Sequence, residues 1–264
     1  MTTTDKWQSG DAYERYMGRW SRQLAPRFLR WVAVAPARRW LDVGCGTGAL
    51  CSAILEGCAP SALTGIDPSA GFLATARSRL PDHVELRQAP AAALPLADAA
   101  VDATVSALVL NFVPDAAAAL REMVRVTAPG GVVAGCVWSY ADRMELIRNY
   151  WDATARLGLL APGQDHAERF PICRPEALAT AWRDAGLLQV EVEAIEIAMH
   201  FTDFADYWQP FLGGQGPAPA HAMALDPADR ERLREHLRES LPTQPDGSIV
   251  LAARAWAARG TVGD

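Results

Sequence analysis

Asp42, Gly44, Gly46 and Gly48 close an apolar run in "RRWLDVGCGTGAL", residues 38–50, and a second acid, Asp67, closes the next apolar run, "SALTGID". Glycines at the tip of a buried strand permit left-handed backbone angles and remove the Cβ atoms that would hold a ligand away from the chain. In an open parallel sheet, ligands settle beyond the carboxyl ends of the strands, where the strand order reverses. The combination reads as a nucleotide- or nucleoside-binding turn, since three alternate glycines exceed what a tight turn demands. Gly44, Gly46 and Ala49 also satisfy the dinucleotide fingerprint G-x-G-x-x-G/A, with Asp67 at a suitable distance downstream. Two features argue against a dinucleotide. A carboxylate at Asp42 suits an ammonium or hydroxyl group better than a pyrophosphate, and the third glycine, Gly48, comes at alternate spacing.

These residues need strands and helices to hold them. Residues 10–34 form an apolar stripe through Tyr13, Met17, Trp20, Leu24, Phe28 and Trp31, the spacing of one helix bent at Pro26. A strand at "RRWLDVG", a helix at "TGALCSAILEGC", a strand ending at Asp67 and a helix opened by Pro68 and Ser69 come next. "HVELRQA" is a third strand, and "AVDATVSALVL" holds a fourth that ends near Ser106. A helix begins at Pro114 and stops at Pro129-Gly130-Gly131, and "GVVAGCVW" is a fifth strand. This alternation predicts an α/β fold: a Rossmann-like, doubly wound, mostly parallel seven-stranded sheet with an N-terminal helix and a helical cap insertion. The chain reads as a single domain over 1–264. Residues 35–138 form the ligand-binding core, 139–187 and 202–241 a helical cap over one end of the sheet, and 188–201 and 248–258 the final strands.

Composition narrows the function. Half of the 264 residues are apolar and the formal net charge is -6. That charge disfavours a broad nucleic-acid footprint. The N-terminus lacks a signal-peptide core, and no apolar run approaches the roughly 20 residues needed to cross a bilayer, so a cytoplasmic protein is expected. Cys45, Cys51, Cys58, Cys136 and Cys173 include no CxxC pair, which suggests neither a disulfide framework nor a zinc site. Cys51 and Cys58 suit small core positions on a helix. A monomer or homodimer without metal is expected.

Four motifs in order, "LDVGCGTG", "LTGIDPSAGFL", "AAALPLADAAVDATVSALVLNFVPD" and "LREMVRVTAPGG", resemble the class I S-adenosylmethionine-dependent methyltransferases. They are most similar to the branch with the ubiquinone/menaquinone C-methyltransferases and many small-molecule enzymes. The resemblance covers residues 38–138, and the leader "YERYMGRWSRQLAP" adds to it. It implies S-adenosyl-L-methionine as cofactor and S-adenosyl-L-homocysteine as product. By the same resemblance, Asp42 contacts the methionine part, the backbone of Gly44, Gly46 and Gly48 lies against the cofactor, and Asp67 takes the ribose hydroxyls. Asp67 could otherwise serve the start of the helix near Ser69. Pro68 and Ser69 would flank the adenine. One departure stands out: the usual Gly-Asp-Ala-Glu before "ALP" is here "APAA", Ala89 to Ala92, with Pro90 at the adenine-binding Asp. The Ala91 backbone then has to hold the base.

The resemblance also places Ser106 and Leu108 near the cofactor, with Asn111 and Phe112 toward the substrate. Asn111 stands where relatives often carry His. An amide is no base at neutral pH, but it can orient a substrate oxygen or cap the next helix. Tyr16 and Arg19 are candidates to close over the cofactor, Arg19 through its carboxylate. Trp138, Tyr140, Tyr207, Trp208 and Phe211 are candidate walls for a small, hydrophobic or aromatic acceptor, each also readable as ordinary packing. The aromatic stretch running into "LGGQGPAP" suits a lid. His200 is a candidate base; His166 and His221 are weaker ones. Two other readings stay open: a nicotinamide-dependent oxidoreductase, and a methyltransferase-fold protein that binds the cofactor without transferring a methyl group.

Overall fold

The computed structural model describes residues 14–214 and 216–264; Tyr13, the start of the expected N-terminal helix and Gln215 of the expected lid lie outside them. The chain divides into two compact units.

The first unit comprises Trp20–Trp138, Ile172–Ile195 and Ala255–Asp264. A turn of π-helix, Glu14–Gly18, which belongs to the second unit, leads into α1 (Arg19–Val32), where Trp20, Leu24, Phe28 and Val32 form the buried stripe and Pro26 lies inside the helix. Next come β1 (Arg39–Val43), α2 (Ala49–Gly57), β2 (Ala62–Asp67), α3 (Ala70–Arg77) and β3 (Glu85–Gln88). The chain continues through β4 (Val101–Ala107), α4 (Ala116–Val126) and β5 (Thr127–Trp138). Two helices of the other unit, α5 (Glu145–Arg156) and α6 (His166–Arg169), precede α7 (Pro175–Asp184). The last strands are β6 (Leu188–Phe201) and β7 (Ile249–Thr261).

The seven strands run in the order β3-β2-β1-β4-β5-β7-β6. β1 pairs in parallel with both β2 and β4, β2 with β3, and β4 with β5. β7 runs antiparallel to β5, with Cys136 opposite Ala257. The order reverses between β1 and β4. Right-handed crossovers therefore send the helices of the β1–β3 half and the β4–β5 half to opposite faces. A dinucleotide-binding sheet has the order 3-2-1-4-5-6; here the antiparallel β7 stands between β5 and β6.

Two expected boundaries move. α4 starts at Ala116, capped by Asp115 Oδ1, which accepts from the Ala118 amide at 2.8 Å, and not at Pro114. It stops at Val126, ahead of Pro129-Gly130-Gly131, which lie inside β5. Thr127 makes the stop: its Oγ1 donates to Met123 O at 2.6 Å and meets Thr104 Oγ1 at 2.6 Å on β4. A β-branched residue with a partner on the sheet leaves the helix early.

The second unit comprises the described residues up to Arg19, Ser139–Pro171 and Glu196–Arg254. Beyond α5 and α6 it holds α8 (Phe204–Trp208), a 3-10 turn at Gln209–Gly213, α9 (Pro217–Ala224) and α10 (Pro227–Ser240). Residues 139–187, read from sequence as one cap segment, are thus shared between the units at Pro171/Ile172. Among the described residues, no helix is long and apolar enough to cross a membrane.

α7 seats on the sheet through Trp182, fully buried, whose Nε1 donates to Val133 O at 3.1 Å. Gly135 leaves room for that indole: a Cβ there would come within 2.9 Å of Trp182 Cη2 and 3.1 Å of Ser106 O. Gly135→Val is expected to destabilise the protein by about 1–3 kcal/mol through overpacking, read as a lower urea midpoint with an unchanged m-value.

Candidate functional site

The sheet unit gathers most of the residues singled out by sequence at the carboxyl ends of β1, β2 and β4. The loop after β1 is held from β2: the amides of Gly44 and Cys45 both donate to Ile66 O, at 2.7 and 3.0 Å. Gly44, Gly46 and Gly48 have φ of 76°, 53° and 88°, the left-handed region that favours glycine. Their surroundings differ. At Gly44 a Cβ would strike Val109 Cγ1 at 2.5 Å, and at Gly48 it would press on Leu80 at 3.0 Å. At Gly46 it would meet only Gly44 O, at 4.0 Å. Gly44 and Gly48 let the loop pack, whereas Gly46 opens onto free space.

Asp67, 6 % exposed, turns toward this loop. Its Oδ2 accepts from the Gly46 amide at 3.0 Å and its Oδ1 from the Ser69 amide at 2.8 Å. Ser69 itself caps α3, its Oγ accepting from Phe72 N at 3.3 Å. Asp67 therefore ties the glycine loop to the end of β2, while the helix start is served by its neighbour. Burial pushes the Asp67 carboxyl up, opposed by the two amide bonds. On β1, Asp42 is 1 % exposed and accepts from the Cys51 thiol at 3.2 Å. Burial first, and the nearby Asp67 charge to a lesser degree, raise its pKa to about 7 against the help of Cys51. Cys51, hydrogen-bonded to Cys45 and buried, is itself held well above an ordinary thiol.

The edge toward β3 is made by the turn that replaces the usual acidic segment. Ala91 is buried, and Ala93 N closes the turn on Pro90 O at 3.1 Å. α4 anchors residues 94–96: Leu94 N donates to Glu122 Oε2 at 2.8 Å, and Arg125 donates to Leu96 O and Leu94 O at 2.9 and 3.1 Å. Gln88, beside Asp67 in the β2–β3 register, donates to Pro68 O at 3.0 Å.

The β4 side carries unsatisfied polar groups. Ser106 Oγ and Asn111 Nδ2 are buried without a hydrogen-bond partner among the described residues. Asp115 caps α4, so the reading of Asn111 as that cap is set aside. Leu108 has φ 64°, a strained angle for a residue with a side chain, held by its amide on Cys136 O at 2.7 Å. Trp138 is buried at the end of β5. Cys51 beside Asp42, the wedge of Val109 on Gly44 and the anchoring of residues 94–96 carried no signal in the sequence, because each depends on the folded path of the chain.

In the second unit the candidates are otherwise engaged. Arg19, expected to reach a cofactor carboxylate, is paired with Asp206 at 2.8 and 3.0 Å and lies over the Phe201 ring at 4.8 Å. Tyr16 is buried edge-on to Phe211 at 5.6 Å, its hydroxyl without a hydrogen-bond partner among the described residues. Phe211 stacks on Tyr150 at 4.7 Å and packs with Tyr207 and Trp208. Tyr207 donates to Leu146 O at 3.3 Å. His221 Nε2 can only donate to Leu159 O, at 3.1 Å, so Nδ1 accepts from the Tyr150 hydroxyl at 2.7 Å. His166 Nδ1 accepts from Trp151 Nε1 at 2.6 Å and the ring packs on Tyr140 at 4.6 Å; burial pushes its pKa down to about 3. His200, the candidate base, lies on the exposed face of β6, opposite buried Met199 and Phe201.

Residues 41–135 match the family described as Methyltransferase domain. An uncharacterized methyltransferase of Mycobacterium tuberculosis is 37% identical over 148 residues, 56% of this chain and 57% of that protein. A ubiquinone/menaquinone biosynthesis C-methyltransferase of Rubrivivax gelatinosus is 36% identical over 105 residues, 40% of this chain and 41% of that protein. The chain thus spans little more than half the length of the curated relatives it matches. Among solved structures, a candidate methyltransferase from Bacillus halodurans aligns with a TM-score of 0.62 at 14% identity, covering 91% of this chain and 99% of that one. The phosphoethanolamine N-methyltransferase 2 of Haemonchus contortus, in complex with S-adenosyl-L-methionine, aligns with a TM-score of 0.58 at 14% identity, covering 97% and 57%. Residues 41–135 thus resemble a methyltransferase domain, and the strand order and the solved structures agree with a Rossmann-like fold of that kind.

Two outcomes test the geometry. Asp67→Ala is expected to weaken S-adenosylhomocysteine binding by roughly 1–3 kcal/mol, one buried hydrogen-bonding group's worth, in calorimetry. Asp42 holds its proton to higher pH folded than unfolded, so its stabilising contribution is complete below the ordinary carboxylate range and lost as the pH rises through about 7. Relative to Asp42→Asn, the parent should lose stability by up to about 1.4 kcal/mol per pH unit across this window in ligand-free urea titrations, and no more above it.

Proposed function

We propose that this chain is an S-adenosylmethionine-dependent methyltransferase acting on a small, apolar or aromatic acceptor. The observation that carries the reading is the buried Asp67 carboxylate set against the Gly46 amide, in a loop whose Gly46 faces open space. A Cβ-free cradle beside an oriented acid suits a nucleoside, with Asp67 receiving the ribose hydroxyls. Gly44, Gly46 and Gly48 give the backbone against which it lies, Pro68 and Ala91 flank the adenine, and Ser106 offers its unpartnered hydroxyl from β4. Asp42 receives the amino group of the methionine part, directly or through water. The cofactor supplies a methyl group already activated on a sulfonium. What remains for the protein is to bind, to exclude water and to aim the acceptor, and positioning of this kind accounts for much of the rate of such reactions. The acidic balance of the chain supports a small molecule over a nucleic acid.

The nicotinamide alternative is disfavoured by the antiparallel β7 between β5 and β6. Calorimetry with S-adenosylhomocysteine and with NADH separates the two: binding of the first alone is expected, and binding of NADH alone would overturn the proposal. Label transfer from methyl-labelled cofactor to small acceptors then distinguishes an enzyme from a protein that only binds.

A further inference from the structure

Resting on that reading, we infer that the acceptor is a carboxylic acid, held by a hydrogen bond from Asn111 Nδ2 and methylated on oxygen without a general base. Asn111 is 8 % exposed, and its Nδ2 has no partner among the described residues. A buried donor left unpaired is costly, and a ligand that brings an acceptor atom is one way to complete it. The chain goes to some length to hold this one. It rides on a 3-10 turn, Leu110–Phe112, at the end of β4. The turn is entered through the left-handed Leu108, and Val109 is wedged so tightly over Gly44 that a Cβ there would lie 2.5 Å from it. Asp115, not Asn111, caps the helix after the turn, so the carboxamide has no structural duty there. A free N–H asks for an acceptor atom, and an anionic oxygen makes the stronger bond.

Among the described residues, the histidines, thiols and buried acids are otherwise engaged or lie away from the strand ends. Asp42 and Asp67 are assigned to the cofactor, and Cys45, Cys51 and Cys136 are buried thiols. His83, the one histidine of the sheet unit, lies ahead of β3, away from the strand ends. His166 and His221 each have Nδ1 occupied by a donor, from Trp151 and Tyr150. His200 is on an exposed face and His236 lies along α10. A phenol, an alcohol or an ammonium group would have to lose a proton first. A carboxylate arrives already ionised at neutral pH. Its oxygen lone pair forms the new C–O bond while the methyl carbon's bond to sulfur breaks, the electron pair staying on sulfur. The products are a methyl ester and the neutral thioether, and no proton moves.

The test uses the full chain, methyl-labelled S-adenosylmethionine and a matched panel: benzoate, cinnamate and octanoate against phenol, benzyl alcohol, benzylamine and octylamine. Label is expected on the acids alone, released by mild alkali as methanol. For the best acid, Asn111→Ala should raise KM by about tenfold and Asn111→Asp by more, as loss and then reversal of a charge-assisted bond require, with kcat less affected. S-adenosylhomocysteine affinity should stay within about twofold in Asn111→Ala, since the residue serves the acceptor. Label on a phenol, alcohol or amine, label on none of the panel while S-adenosylhomocysteine binds, or an unchanged KM in Asn111→Ala would overturn the inference. Failure of the parent chain to bind S-adenosylhomocysteine would overturn the methyltransferase reading, and this one with it.

Discussion

One carboxylate holds the candidate site together. Asp67 accepts from Gly46 with one oxygen and from Ser69 with the other, so a single side chain fixes the glycine loop, the end of β2 and the entry to α3. Beside that clamp, the positive-φ turn at Gly44–Gly48 is tied to β2 by the two amide bonds to Ile66 O. The clamp is also electrostatic. Asp67 and Asp42 are buried in one unit, and burial together with the Asp67 charge raises the cost of ionising Asp42. Two buried acids with no basic partner among the described residues make an unfavourable arrangement in an empty protein and a favourable one around a cation. The site is therefore built with a sign.

The second unit obeys the opposite rule. Its aromatic and basic side chains look chemical in the sequence, yet most are consumed by one another. Tyr207 donates to Leu146 O, Tyr150 to His221, Trp151 to His166, and Arg19 closes on Asp206. Buried polar atoms need partners, and a packed cluster supplies them internally. Where this demand goes unmet, as at Tyr16 in this unit and at Ser106 and Asn111 in the sheet unit, a ligand has something to complete.

The fold sets the place of the chemistry but not its acceptor. Strand order reverses between β1 and β4, where such sheets take ligands, and β7 pairs with β5 in the antiparallel sense. Many chemistries use such a frame, so the acceptor must be argued from side chains such as Asn111 and not from the topology.

Much of this was legible in the chain itself. The α/β alternation, the glycine turn and the acids at the ends of β1 and β2 follow from apolar periodicity and from glycine's access to left-handed angles, and both are properties of a few neighbouring residues. Even the exposure of His200 was written in its strand, since it shares a face with Glu196 and Ala198 and alternates with Ile197, Met199 and Phe201. Tertiary structure alone decided how the polar groups are used. That Thr127 ends α4 by meeting Thr104, that Arg19 is taken by Asp206, that Cys51 donates to Asp42, and that Asn111 is left with a free donor depend on partners up to 187 positions away. Hydrogen bonds of that kind have no period and no local composition, so they become readable only once the chain has folded.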